Sequence, residues 1–180
     1  MATRAQQATR DAILATAADA FAAAEAASMA ELAARIGVSR GTLYRYFPTR
    51  RALLEALEAT ALEEASRRLA DAKLDQVAVE EALARAVRAL VALDKTYLFL
   101  ARAPHLGRQP GLVEPINALL ERGRKHGQIR DDIPVACLVE TLLVLIGACI
   151  RSGKAAGMGP EDVSLTALRL FLSGARQPPR

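Results

Sequence analysis

The chain has 180 residues, 52% apolar and 24% charged, a balance that excludes a disordered polymer and allows a real hydrophobic core. Two cysteines, Cys137 and Cys149, rule out a disulfide-stapled fold, and with two histidines in the whole chain neither a metal site nor a cofactor is expected. The net charge is only +4, so its distribution carries the information: residues 1–51 hold seven Arg against four Asp/Glu, and Arg35 to Arg51 contains five arginines and no acid.

Alanine is heavily used, which favours helix, and no stretch alternates apolar and β-branched residues as a strand would. The expected fold is all-α. The first ten residues are polar, without the apolar segment of a signal peptide, and Arg4 falls in a leading tail. With reduced thiols, that gives a cytoplasmic expectation. The first helix is expected from about Thr9, as N-cap, to about Ala24, with Ile13, Ala17 and Phe21 on its inner stripe. Ser28-Met29-Ala30-Glu31 is a capping box opening a second helix, which Gly37 ends. Ser39 opens a third, to about Tyr46. Pro48 breaks it, and Thr49 caps a fourth from Arg50 to about Lys73. A fifth is expected over Val79 to Ala101, with Leu83, Val87, Leu90 and Tyr97 on one face.

Pro104, Gly107, Pro110 and Gly111 then break the chain. A sixth helix runs from Leu112 to Lys125 with Pro115 in its first turn, and a seventh from Pro134 to Arg151. Gly153, Gly157 and Gly159 read as a loop, and an eighth helix starts at Pro160, where Glu161 and Asp162 suit an N-terminus. The apolar run Val135 to Ile150 is short of the ~20 residues of a membrane span and carries Glu140, so it is expected buried rather than in a membrane.

Ser28 to Phe47 has the parts of a DNA-binding helix-turn-helix. Leu32, Ile36, Leu43 and Phe47 face inward, Ala33 permits close helix approach, Gly37 turns the chain and Val38 is the pivot. Arg40, Thr42, Tyr44 and Arg45 then point outward on a helix that fits the major groove, where Arg can reach both acceptors of a guanine edge. Taken singly, these arginines read better as solvated surface, and the tyrosines also as half-buried packing residues with a polar tip. His105 and His126 lie near breakers and read as exposed. The two cysteines, twelve residues apart on one helix, cannot pair with each other and read as buried thiols.

Gly37-Val-Ser-Arg-Gly-Thr-Leu-Tyr-Arg-Tyr-Phe-Pro-Thr-Arg-Arg-Ala-Leu-Leu54 resembles the signature of the TetR family of bacterial transcriptional regulators, over roughly Thr9 to Leu57. There are two departures. Phe21 is followed by Ala22-Ala-Ala-Glu-Ala-Ala27, a shorter connection than the family's usual glycine-aromatic link, and Arg50-Arg51 stand in place of Lys-Glu. The resemblance implies an N-terminal three-helix DNA-binding domain over 1–48, and a C-terminal helical domain for ligand binding and dimerisation over 49–180. It implies that Arg40, Gly41 and Thr42 read base edges, and that Ser28, Tyr44, Tyr46 and Arg50 grip phosphates. Ser39 and Arg45 complete the candidate set.

The expected partners are a double-stranded operator with an inverted repeat, a second copy of the chain and a small-molecule effector. The seventh and eighth helices carry apolar residues all round, too many for one chain to cover, and pairing them across a two-fold axis would give a homodimer. A lipophilic ligand is expected among Leu62, Leu69, Leu90, Asp94, Tyr97, Leu98, Leu119 and Leu142, with Pro104 to Gly111 as a gate. Asp94 shares a stripe with Val87, Leu90 and Tyr97, so it either needs a partner or a cavity, or lies at the stripe's edge. No nucleophile–base pair, HExxH, P-loop or strand-linked GxGxxG appears, so no enzyme is expected. The alternatives are a regulator or activator without effector, or a helical carrier or enzyme.

Overall fold

A computed structural model describes residues 4–23, 27–101 and 109–177. Their regular elements are helical, with one isolated antiparallel bridge between Ile129 and Arg176. The helices are α1 (Arg4–Ala23), α2 (Met29–Ile36), α3 (Arg40–Tyr46), α4 (Arg50–Asp71), α5 (Val79–Val91), α6 (Lys95–Leu100), α7 (Pro110–Lys125), α8 (Val135–Ala155) and α9 (Pro160–Ala175), with a short 3₁₀ turn at Leu74–Gln76. Two compact units result, Met1–Ala61 and Leu62–Arg180. The division falls inside α4, further along than residues 48–49.

In the first unit α1 packs on α2, and α2 on α3. Ile13, Leu14, Ala17, Ala20 and Phe21 of α1 are buried, as the four-residue spacing requires. They meet a core that includes Leu32, Ala33, Leu43 and Phe47. Thr9 is not a cap: α1 starts at Arg4, and the Thr9 hydroxyl donates back to the Ala5 carbonyl at 3.0 Å. Arg4 is therefore helical rather than part of a tail. Of the connection Ala22–Ala27, residues 24–26 lie outside the described residues.

In the second unit α5 packs on α7, α8 and α9, and α8 pairs with α9. Leu83, Val87 and Leu90 of α5 are fully buried among Leu112, Ile116, Leu120, Leu142 and Ile146, which are equally buried. The single helix expected over Val79 to Ala101 is two. Leu93 and Asp94 close tight turns onto Leu90 and Val91, and Asp94 takes φ +48°, a conformation no helix continues through. The restart puts the Tyr97 hydroxyl 2.7 Å from the Leu143 carbonyl, to which it donates, and sets Ala101 against the bare backbone of Gly147 on α8.

Three other expectations change. α7 starts at Pro110, so Pro115 lies in its second turn, not its first. Gly153 is not in a loop. It is a buried helical residue of α8 where a Cβ would collide with Val163 of α9, so its lack of a side chain lets the two helices touch. Cys137 is exposed, and only Cys149 is a buried thiol. By length and composition alone α8 could cross a membrane, since it runs on through Arg151 and Lys154, and 44% of its apolar window is buried inside the molecule. His105 and most of the segment Pro104 to Gly111 lie outside the described residues, and His126 is exposed.

The end of α9 is tied to the segment between α7 and α8. The Arg130 amide donates to the Ala175 carbonyl at 3.0 Å and the Gln177 amide to the Gln128 carbonyl at 3.2 Å. The Arg130 guanidinium adds a bond to the Gly174 carbonyl at 2.9 Å while clamping Asp132, whose carboxyl it holds below the usual carboxylate range.

Candidate nucleic-acid interface

Local chemistry builds the site. The Ser28 side chain accepts from the Glu31 amide at 3.3 Å, and the Glu31 carboxylate accepts from the Ser28 amide at 2.8 Å, closing the capping box at the start of α2. The Ser28 amide, and the Ser28 hydroxyl donating at 2.7 Å, hold the Glu31 carboxyl below its usual range. Gly37 takes φ +84°, the left-handed region that favours glycine, and both it and Val38 donate to the Ala33 carbonyl at 3.0 Å. The chain then turns into Ser39, whose side chain accepts from the Thr42 amide at 3.0 Å and shares a 2.8 Å hydroxyl contact with Thr42. Thr49 caps α4 by accepting from the Ala52 amide at 3.0 Å.

Leu43 and Phe47 anchor α3 in the core, which fixes what it turns outward. Ser39, Arg40, Gly41, Tyr44 and Arg45 are exposed, and Thr42 and Tyr46 are half-buried. Seven of the nine candidate DNA-binding residues therefore lie on or at the start of this one helix. Ser28 caps α2, and Arg50 opens α4. Among the described residues Arg40 and Arg45 form no ion pair. Arg51 reaches Glu55 at 3.5 Å, both exposed. A Cβ at Gly41 would meet nothing within 4 Å, so the backbone there is open to an approaching surface.

Three arginines of the site lie over aromatic rings. Arg40 lies over Tyr44 at 5.5 Å, Arg45 over Tyr46 at 5.1 Å, and Arg50 over Phe21 at 5.1 Å. Arg50 also donates to the Ala27 carbonyl at 3.4 Å, so it braces the start of α2 as well as the start of α4. A fourth case was not foreseen: Arg10 of α1 lies over Phe47 at 5.4 Å. Its place on the inner stripe of α1, four residues before Leu14 and seven before Ala17, was the available signal.

The candidate ligand residues are more scattered. Leu69 and Leu119 border a groove of about 230 Å³, with Ala70, Lys73, Leu74, Asp75, Pro115, Ala118 and Arg122. Leu90, Tyr97 and Leu142 are fully buried, and Leu62 and Leu98 half-buried. Asp94 has a partner: Lys154 of α8, at 2.6 Å, with both side chains nearly half exposed. Among the described residues no cluster of three or more His, Cys, Asp or Glu could hold a metal.

Residues 13–57 match the family model for bacterial regulatory proteins of the tetR family. The HTH-type transcriptional regulator NfxB of Pseudomonas aeruginosa is 26% identical over 163 residues, covering 86% of this chain and 87% of that protein. The TetR-like regulator LfrR of Mycobacterium smegmatis, solved in complex with proflavine, is 26% identical with a TM-score of 0.77, covering 94% of this chain and 97% of its own. The TetR family regulator PfmR of Thermus thermophilus, also 26% identical, has a TM-score of 0.69 over 90% of this chain and 97% of that one. Together with a helix-turn-helix that presents Arg40 and Arg45 outward, these likenesses give residues 13–57 the tetR-family DNA-binding pattern, and over most of its length the chain is similar to TetR-like transcriptional regulators.

Proposed function

We propose that the chain is a cytoplasmic homodimeric repressor that leaves its operator when a small lipophilic molecule enters the C-terminal unit. The outward face of α3 carries this reading, with Arg40 and Arg45 in no ion pair among the described residues and the open backbone of Gly41 beside them. Arg40, Gly41 and Thr42 meet base edges. Ser28, Tyr44, Tyr46 and Arg50 hold phosphates. Dimerisation uses α8 and α9, where Val144, Leu165 and Leu170 are 60%, 40% and 56% exposed in the single chain, too apolar for a solvated face. A two-fold dimer presents two copies of α3, so the operator is an inverted repeat with half-site centres about 34–36 Å apart or a multiple of that.

The effector site lies in the second unit. The groove beside Leu69 and Leu119 is below the ~300–1,000 Å³ usual for ligand sites, so a ligand there has to widen it. LfrR was solved with proflavine, a flat aromatic cation, and a cation of that kind could compete with Lys154 for Asp94. Helix α4 has residues in both units, and a ligand-driven shift of its second half is the route to α3.

The test is a mobility-shift titration of the full chain on its own promoter, with sedimentation of the free protein at micromolar concentration. Retarded DNA and a dimer are expected. A protein that gives no specific shift, or a clean monomer, refutes the reading. Ligand affinity is then measured with and without saturating operator. Coupling is reciprocal, so DNA must weaken ligand binding by the factor by which ligand weakens DNA binding. Equal affinities exclude that ligand as effector, and a regulator that no small molecule releases acts without one.

A further inference from the structure

Arg40 and Tyr44 stand four residues apart on α3, one turn along the same outward face. The Arg40 guanidinium lies 5.5 Å from the centre of the Tyr44 ring. This pair differs from the other three. Phe21 and Phe47 are core residues, 2% exposed, and carry Arg50 and Arg10 as a by-product of packing. Arg45 and Tyr46 are adjacent in sequence. The Tyr44 ring is 37% exposed, so burial alone does not explain an aromatic there. No carboxylate lies between Arg35 and Arg51.

The distinction between ring and carboxylate matters chemically. A carboxylate would orient a guanidinium by occupying its N–H edge and cancelling its charge. An aromatic face orients it from the flat side, leaving the in-plane donors free for a bidentate contact and the charge intact. Free arginine samples many rotamers, and a base contact must restrict them. A guanidinium already laid on a ring needs less restriction.

We propose that Tyr44 is a specificity-determining positioning residue: its ring, rather than its hydroxyl, holds Arg40 in the orientation that reads a base edge. This rests on the reading of Arg40 as a base contact and gives Tyr44 a role beyond gripping phosphate. Removing the ring should weaken discrimination at the Arg40 position by about two- to five-fold, the scale of an exposed cation–π contact.

The test uses the full-length dimer and its operator, with binding to every single-base variant of one half-site and to random duplex. Arg40→Ala, Tyr44→Phe, Tyr44→Leu, Tyr44→Gln and the double variant Arg40→Ala/Tyr44→Leu are compared, each with a thermal melt. Arg40→Ala should flatten preference at one position. Tyr44→Leu and Tyr44→Gln should partly flatten the same position, Tyr44→Phe should keep it, and the double variant should be no flatter than Arg40→Ala. If Arg40→Ala leaves every position unchanged, the base-contact reading fails, and the proposal with it. If Arg40→Ala flattens a position but Tyr44→Phe is as damaging as Tyr44→Leu, the hydroxyl is what matters and the proposal alone fails. It also fails if Tyr44→Leu weakens operator and random DNA equally, on top of Arg40→Ala, because Tyr44 is then an independent phosphate contact.

Discussion

Gly41→Ala should move stability and DNA binding in opposite directions. Gly41 is helical, its φ is not in the left-handed region, and an added Cβ would meet nothing within 4 Å. The methyl group therefore costs no strain and no overpacking, and it removes the conformational penalty of glycine in a helix, roughly 0.5–1 kcal/mol. The position is in the first turn of α3, so the lower half of that range applies, which is about 1–3 °C in melting temperature for a chain of this size. On the DNA side the same methyl group projects where a base edge would approach. Losing one close contact there costs ~1–3 kcal/mol, or roughly 5- to 150-fold in affinity. The assay is a thermal melt beside a binding titration at fixed salt. A variant that melts lower refutes the account of open space around Gly41. A variant that melts higher and binds operator unchanged removes Gly41 from the interface.

Two further outcomes test the second unit. Tyr97→Phe should cost ~0.5–1.5 kcal/mol at neutral pH, through the lost bond to the Leu143 carbonyl. Burial pushes the Tyr97 phenol far above its ordinary value, so its folded-state pKa exceeds the unfolded one. Its contribution is full below about pH 10 and is lost as pH rises further. Urea melts should show a shallower alkaline loss in Tyr97→Phe, and an identical pH profile would contradict the buried phenol. Gly153→Ala should destabilise by ~1–3 kcal/mol because its methyl group collides with Val163, and Gly153→Ala/Val163→Ala should recover part of that in the same melts. A neutral Gly153→Ala would mean that α8 and α9 do not approach so closely.

How much of this was legible in the sequence follows from how local each feature is. The helix-turn-helix could be read residue by residue because Ser28 with Glu31, Gly37, Ser39 and Thr49 each satisfy or bend the backbone within three or four residues of themselves. The stripe of α1 was equally plain, since Ile13, Ala17 and Phe21 need no knowledge of what covers them. The break between α5 and α6 was hidden: Ala92, Leu93 and Asp94 include no Gly or Pro, and the turn exists because Tyr97 finds a carbonyl on α8, 46 residues away. The turn sets the phase of α6 anew, and Asp94, expected to need a partner or a cavity or to lie at the stripe's edge, sits half-exposed beside Lys154. Gly153 was hidden for a related reason. Glycine in sequence suggests a loop, and only the position of Val163 makes it a contact point between helices. Arg10 over Phe47 needed the three-dimensional meeting of α1 with the end of α3.

The bridge between Ile129 and Arg176 turns the α8–α9 pair into a closed loop of chain rather than an open hairpin. The two donor amides, of Arg130 and Gln177, lie outside every helix, where amides ordinarily exchange with solvent within moments. Here each can open only if α9 lifts from the α7–α8 connection. Hydrogen–deuterium exchange at these two amides therefore reports the undocking of α9. A partner or ligand that braces α9 should slow both amides together, even if it touches neither.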